Sequence, residues 1–334
     1  MKTISITTQC FNEEENVEIL YERVRIQMAK IGKYKYEHIF IDNHSTDRTV
    51  EILKRIAAAD PNVRIIVNAR NFGQIRSPMH ASLQARGDAV IGIVSDLQDP
   101  PEMIPDFIRE WENGYLMVLA TKTASHEHTL LYWMRTQYYK MINRMADAPT
   151  FENVTGFGIY DKRVMDTVRS LKDPYPYFRG LIADLGFSYK LIPYTQPRRS
   201  RGVTKNNFYT LYDMAMLGIV NLSKVPLRLA TMAGFLFSII SFFVATGYLL
   251  YKLLFWHSFD VGIAPLVIGL FFLGSIQLLS LGILGEYVGA IYTHVRQHPY
   301  VIEQERVNFE NELGAPRQTP IRLSEEPAPT GEAR

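Results

Sequence analysis

The chain has 334 residues, of which 47% are hydrophobic and 21% charged, with a formal net charge of +2. This is an ordinary globular balance, so neither a disordered chain nor a strongly basic nucleic-acid binder is expected. Cys10 is the sole cysteine, which excludes an intrachain disulfide and agrees with a cytoplasmic setting.

From the N-terminus, the segment Met1 to Ile6 leads straight into a strand pattern and lacks the long apolar core of a signal peptide, so the head is expected to stay in the cytoplasm. Apolar, β-branched runs at Ile4–Thr8, Ile39–Ile41, Val63–Val67 and Val90–Val94 alternate with helical patterns at Val17–Ile31, Thr49–Ala59, Pro78–Ala85 and Glu102–Trp111. That alternation predicts βαβ units and an α/β head with a mostly parallel sheet. Gly32 is a stop for the first helix, Ser45 and Asp47 are caps for the second, and Pro100-Pro101 can open the fourth at its first turn. Beyond Met117 the pattern blurs. Leu130–Met145 reads as an aromatic-rich helix, Tyr189–Ile192 as a strand, and Gln196–Lys205 as a basic loop.

Phe208–Val220 suits an amphipathic helix in a membrane interface, and on periodicity alone it suits a core helix equally. Leu229–Tyr251 and Val261–Gly285 contain no Asp, Glu, Lys or Arg. Each is long enough to cross a hydrocarbon core of about 30 Å, which takes roughly 20 residues. Basic residues precede the first span, from Arg198 to Arg228, and His294 and Arg296 follow the second, whereas the intervening turn Trp256–Asp260 has no Lys or Arg. The positive-inside rule then places both ends of the hairpin in the cytoplasm. Gly285 and Gly289 form a small-xxx-small pair suited to helix packing, in keeping with an expected homo-oligomer. After Val301 the chain turns polar, and Gly314–Arg334 has the composition of a disordered tail.

Polar clusters follow the predicted strands. These are Asn12-Glu13-Glu14-Glu15-Asn16, Asp42-Asn43-His44-Ser45-Thr46-Asp47, Asn71-Phe72-Gly73-Gln74, and Ser95-Asp96-Leu97-Gln98-Asp99-Pro100-Pro101-Glu102. In an open parallel sheet the carboxyl ends of strands share one crevice, where ligands bind. Asp96 and Gln98, two residues apart, offer hard oxygen ligands there for a cation carrying a phosphate, although Asp96 also suits a helix cap. Arg198 and Arg201 could equally set topology or attract anionic lipid. His126 and His128 beside Glu127 have no further ligand at suitable spacing and read as a loop on the acceptor side.

In this order, and with Arg199-Ser200-Arg201-Gly202-Val203-Thr204-Lys205, the approach Leu217–Arg228 and the exit Leu284-Gly285-Glu286-Tyr287-Val288-Gly289, the sequence resembles the family-2 glycosyltransferases. Within them it is similar to the polyprenyl-phosphate glycosyltransferases, the GtrB-like and dolichol-phosphate mannose synthase-like group. The resemblance implies a GT-A, Rossmann-like head over residues 1–205, interfacial helices at 206–226, two membrane helices at 227–293 and a cytoplasmic tail at 294–334. It further implies an inner-membrane enzyme of hexosyltransferase type. Such an enzyme moves a sugar with inversion from a nucleotide-sugar, taken as a UDP-sugar, to undecaprenyl phosphate for cell-envelope glycan. By the same resemblance, Asn12, Glu13, Asp42, Asn43, Gly73, Ser95 and Asp96 fall where the family holds nucleotide-sugar. Asp96 and Gln98 fall where it holds Mg²⁺ or Mn²⁺, with Arg199 as a third catalytic group. Arg199, Arg201 and Lys205 fall where it holds diphosphate or lipid phosphate.

The family's Asp-Xaa-Asp stands here as Val94-Ser95-Asp96, its Asp-Asp-Gly as Asp42-Asn43-His44, its Pro before the first cluster as Gln9, and a family acidic residue aligns with Gly156. With carboxylates lost, an inactive homologue that binds nucleotide-sugar or lipid as an assembly subunit is the rival expectation. Two spans and the lack of a Gln-Xaa-Xaa-Arg-Trp sequence weigh against a processive synthase, and the lack of a Gly-Xaa-Gly-Xaa-Xaa-Gly turn weighs against a nicotinamide dehydrogenase.

Overall fold

A computed structural model describes residues 1–124, 151, 153–197, 215–220, 223–255, 263–296 and 298–309. The head alternates β1 (Thr3–Cys10), α1 (Val17–Ile31), β2 (Lys35–Asp42), α2 (Thr49–Ala59), β3 (Val63–Asn68), α3 (Gly73–Gln84) and β4 (Ala89–Val94). There follow α4 (Ile104–Glu112), β5 (Met117–Ala124), β6 (Val154–Asp161), α5 (Lys162–Leu171), α6 (Phe178–Asp184) and β7 (Tyr189–Thr195). Two long helices come next, α7 (Val225–Leu254) and α8 (Ile263–Val295), and then a last strand, β8 (Glu303–Val307).

The strands form one sheet in the order β7-β5-β6-β4-β1-β2-β3-β8. Strands β4, β1, β2 and β3 run parallel, as the alternation predicts, while β6 and β8 join antiparallel on either side. Strand β1 is buried along nearly its whole length, which is what a central strand covered on both faces requires. One face packs Ile4, Ile6 and Ile91 against Leu20 of α1 and Phe107 of α4. The other packs Ile39, Ile41 and Ile66 against Ala81 of α3 and Val164 of α5. Gly158 is required where β6 crosses β5, because a side chain there would collide with the Val118 carbonyl.

Local signals hold at several ends. Gly32 closes α1 at φ +64° with its N–H on the Met28 carbonyl. Asp47 Oδ1 accepts the Thr49 N–H at 3.0 Å, and Pro101 starts a short 3₁₀ turn ahead of α4. The third helix differs from expectation. It begins at Gly73 and carries Pro78 inside it, because Asn71 Oδ1 accepts the Gly73 N–H and sets the first turn earlier. The sequence places the end of the head at residue 205, yet the sheet takes β8 from beyond the hairpin. Its five residues, Glu-Gln-Glu-Arg-Val, are polar because an edge strand has little apolar surface to bury.

At 30 and 33 residues, α7 and α8 are about 45 and 50 Å long at 1.5 Å per residue. Both are long and apolar enough to cross a membrane, with Phe235 70% and Phe271 71% exposed on their surfaces. They pack on one another, Phe237 edge-on to Phe272, and the Tyr287 hydroxyl donates to the Ser223 carbonyl at 2.5 Å.

Candidate active site

The carboxyl ends of the four parallel strands share a backbone device that sequence patterning does not reveal. Each is followed within a few residues by a left-handed residue: Asn12 (φ +53°), His44 (φ +68°), Gly73 (φ +82°) and Leu97 (φ +61°). For a residue other than glycine this conformation costs roughly 1–3 kcal/mol, and such strain gathers at functional sites. The four turns lie at the carboxyl end of the parallel strands, where the polar clusters follow.

The β1 and β2 clusters are tied to each other. Asn12 Oδ1 accepts the Thr46 N–H at 2.7 Å, while the Asn12 N–H donates to Ser45 Oγ at 2.8 Å. Glu13 is nearly buried and accepts the Asn16 side-chain amide at 2.6 Å. Asp42 is fully buried and accepts both the N–H and the hydroxyl of Ser45. Burial raises the Asp42 carboxyl above the ordinary range, against the pull of those hydrogen bonds. Cys10 lies beneath, its thiol pushed well up by burial and by the nearby charges of Asp42 and Glu13. Asn43 links β2 to the third cluster through Asn68, Asn71 and Phe72. The Gly73 carbonyl accepts the Gln9 side chain at 3.4 Å.

A cavity of about 440 Å³ opens between the ends of β1 and β4, α3, the start of β6 and the start of α6. Asp96 and Gln98 both line it, and Ser95 is buried. Asp96 Oδ1 accepts the Gln98 N–H at 3.1 Å, closing the turn in which Leu97 is left-handed. Three further groups line it: Asp99, which the sequence places in the same cluster without a role, and Lys122 and Arg179, which it does not single out. Asp99 is buried, accepting the Val94 N–H and the Tyr194 hydroxyl, each at 3.3 Å. Burial, reinforced by the Asp96 charge, pushes its carboxyl up to about 7 although Lys122 pulls the other way. Lys122 stands between Thr121 and Thr123, beyond the apolar run Met117–Ala120 that opens β5. Arg179 follows Pro174-Tyr175-Pro176-Tyr177-Phe178, whose position no periodicity gives.

The left-handed Gly156 (φ +97°) also lines the cavity, and its carbonyl accepts the Tyr160 hydroxyl at 2.8 Å. Arg199, Arg201 and Lys205 lie outside the described residues, as do His126, Glu127, His128, the helix expected at Leu130–Met145, most of the interfacial segment and the tail from Gly314.

Among the described residues no three His, Cys, Asp or Glu side chains gather into a cage for a metal ion. Asp96 nevertheless fits a Mg²⁺ or Mn²⁺ delivered with a diphosphate. Mg²⁺ in such sites takes one or two carboxylates and fills its remaining positions with phosphate oxygens and water. The cavity thus combines a carboxylate suited to a hard cation with Lys122 and Arg179, which suit phosphate oxygens.

Residues 5–169 match the model of Glycosyl transferase family 2. A bactoprenol glucosyl transferase of Shigella phage SfV is 33% identical over 91% of this chain and 99% of its own length. An uncharacterized glycosyltransferase of Bacillus subtilis is 34% identical over 92% of this chain and 95% of its own. Among solved structures, glucosyl-3-phosphoglycerate synthase from Mycobacterium tuberculosis, in complex with Mn²⁺, UDP and glucosyl-3-phosphoglycerate, aligns at 18% identity and a TM-score of 0.45. That alignment covers 66% of this chain and 78% of the other. On the family match and on relatives of this identity that span nearly its whole length, the chain belongs to glycosyl transferase family 2.

Proposed function

We propose that this glycosyltransferase moves a sugar, with inversion, from a nucleotide-sugar of the UDP class to the phosphate of a polyprenyl phosphate at the cytoplasmic face of a membrane. The observation that carries the reading is one chain joining a cavity lined by Asp96, Lys122 and Arg179 to two exposed apolar helices long enough to span a bilayer. Relatives whose names say bactoprenol glucosyl transferase align across both parts. Charge in the flanking segments supports a cytoplasmic head, and Gly285 and Gly289 support a homo-oligomer packed through α8.

The acceptor requires little of the protein as a base. A phosphate monoester has a second pKa near 6, so at neutral pH it is already a dianionic nucleophile. What remains is to hold that phosphate in line with the sugar carbon and to stabilise the departing diphosphate. Lys122 and Arg179 hold phosphate oxygens from the cavity wall, and Arg199, Arg201 and Lys205 hold the lipid phosphate or diphosphate from the membrane border. Asp96, with Gln98 beside it, holds a divalent cation, which when bound supplies Lewis acidity to the leaving diphosphate. Asn12, Glu13, Asp42, Asn43, Gly73 and Ser95 form the nucleotide side. The bonds that already link Asn12 to Thr46 and Asp42 to Ser45 pre-organise it.

The test is to incubate the purified full chain with undecaprenyl phosphate and a panel of nucleotide-sugars, with and without chelator. Glycolipid formed from one UDP-sugar and lost on chelation is expected. Nucleotide binding without product from any donor would overturn the reading.

A further inference from the structure

Helix α3 presents two opposed stripes. Gln74, Pro78 and Ser82, spaced four apart, line the cavity. Arg76, His80 and Gln84, offset by two residues and hence on the far side of the helix, are all held by the segment that follows α8. Arg76 donates to the Pro299 carbonyl, His80 Nε2 meets Glu303 Oε1 at 2.5 Å, and Arg306 donates to Gln84 Oε1 at 3.0 Å. Glu303 also pairs with Arg306, so one carboxylate ties the strand to the helix. The segment is itself fixed to the sheet: β8 pairs with β3, and Asn308 donates to the Ala57 and Val63 carbonyls at 2.7 and 2.9 Å.

The same segment reaches the opposite wall. The Tyr300 hydroxyl donates to the Asp173 carbonyl at 2.5 Å, and His294, in the last turn of α8, stands 3.2 Å from Asp173 Oδ1. Asp173 in turn accepts the Tyr175 N–H at 2.9 Å, just before Pro176, Tyr177, Phe178 and Arg179, which line the cavity across from α3. Fifteen residues or fewer after the second long helix therefore contact the backs of two facing walls, without lining the cavity themselves.

We propose that Tyr300 and Glu303 are positioning residues for sugar transfer: from the end of the membrane hairpin they set the separation of α3 and the 176–179 wall, and thereby the fit of the nucleotide-sugar. The inference rests on the reading of the cavity as the donor site. Its physical basis is that a helix held by three side chains along one stripe can shift only as a body, carrying Gln74, Pro78 and Ser82 with it.

The experiment compares Glu303→Gln, Tyr300→Phe and Glu305→Gln in the full chain. Glu305 lies on the same strand but pairs with Lys54 of α2, away from both walls. Donor KM, kcat and melting temperature are measured, together with amide hydrogen exchange over residues 73–84 and 174–179. Glu303→Gln should raise donor KM three- to tenfold with kcat within twofold and should speed exchange in α3. Tyr300→Phe should do the same with faster exchange in 174–179, and Glu305→Gln should match the parent in all of these. Unchanged KM in the first two variants, or an equal rise in Glu305→Gln, would overturn the proposal. A parent protein that transfers no sugar overturns the functional reading instead, and the exchange of the two walls then decides whether Tyr300 and Glu303 hold them.

Discussion

Asn43 Oδ1, at the end of β2, accepts the Phe72 N–H at 2.8 Å while its side-chain amide donates to Asn71 Oδ1 at the same distance. One buried side chain thus satisfies both directions of the loop that opens α3. Removing it strands buried polar groups, which costs roughly 1–3 kcal/mol each. Asn43→Ala is expected to lower the denaturation midpoint and to raise donor KM, because the same loop leads into Gln74 at the cavity wall. A variant with normal KM would confine Asn43 to the fold.

Asp96→Ala is expected to abolish transfer, with a fall in kcat/KM of about a thousandfold or more, equivalent to ~4 kcal/mol of transition-state stabilisation. The hydrogen bond it accepts from the Gln98 N–H, its one such bond among the described residues, closes a local turn, so the melting temperature should change little. Near-normal transfer by this variant would sink the assignment of the cation to Asp96.

Strand and helix alternation up to Trp111 is legible because a parallel sheet buries continuous β-branched runs, as in Ile4 to Thr8, between helices with one apolar stripe. Strand β6 is not, since Val-Thr-Gly-Phe-Gly-Ile-Tyr-Asp carries two glycines in a short apolar run, Gly158 forced by close approach to β5 and Gly156 by its left-handed backbone. Strand β8 is hidden by its edge position and by the two long helices that separate it from its sheet. The site divides in the same way. Asp96 and Gln98 follow from a motif at a strand end, and both line the cavity. Lys122 and Arg179 come from the antiparallel side of the sheet and from an aromatic connection, where only the folded chain brings them to the same space. The left-handed turns at Asn12, His44 and Leu97 have no glycine to announce them.

Gly156 lines the cavity in a left-handed conformation, and its φ of +97° sets what a replacement would do. No atom lies within 4 Å of a Cβ built there, so the obstacle is the backbone conformation and not space. A Gly156→Asp substitution is expected to cost about 1–3 kcal/mol of stability through that strain. It should also change transfer little, because the acceptor phosphate needs no added base. A severalfold rise in kcat in this variant would show that a carboxylate at this position contributes to the reaction.

His38 gives the fold a definite acid sensitivity. It is fully buried, with Nε2 3.0 Å from Thr8 Oγ1, its ring against Phe40, and Nδ1 without a hydrogen-bond partner among the described residues. Burial lowers its pKa from 6.5 to about 3, against the opposing charge of Asp60. Between those two values the unfolded chain binds a proton that the folded chain refuses. Stability present above pH 6.5 is therefore lost progressively as pH falls toward 3. At pH 5 the loss amounts to about 2 kcal/mol, at 1.36 kcal/mol per unit. A His38→Gln variant, which cannot titrate, is expected to be less stable than the parent at pH 7.5. Its melting temperature should fall less than the parent's between pH 7.5 and pH 5, so the gap between the two narrows on acidification. A gap that stays constant or widens would mean that His38 takes up its proton inside the folded protein, with the ring exposed by an opening of β1 and β2.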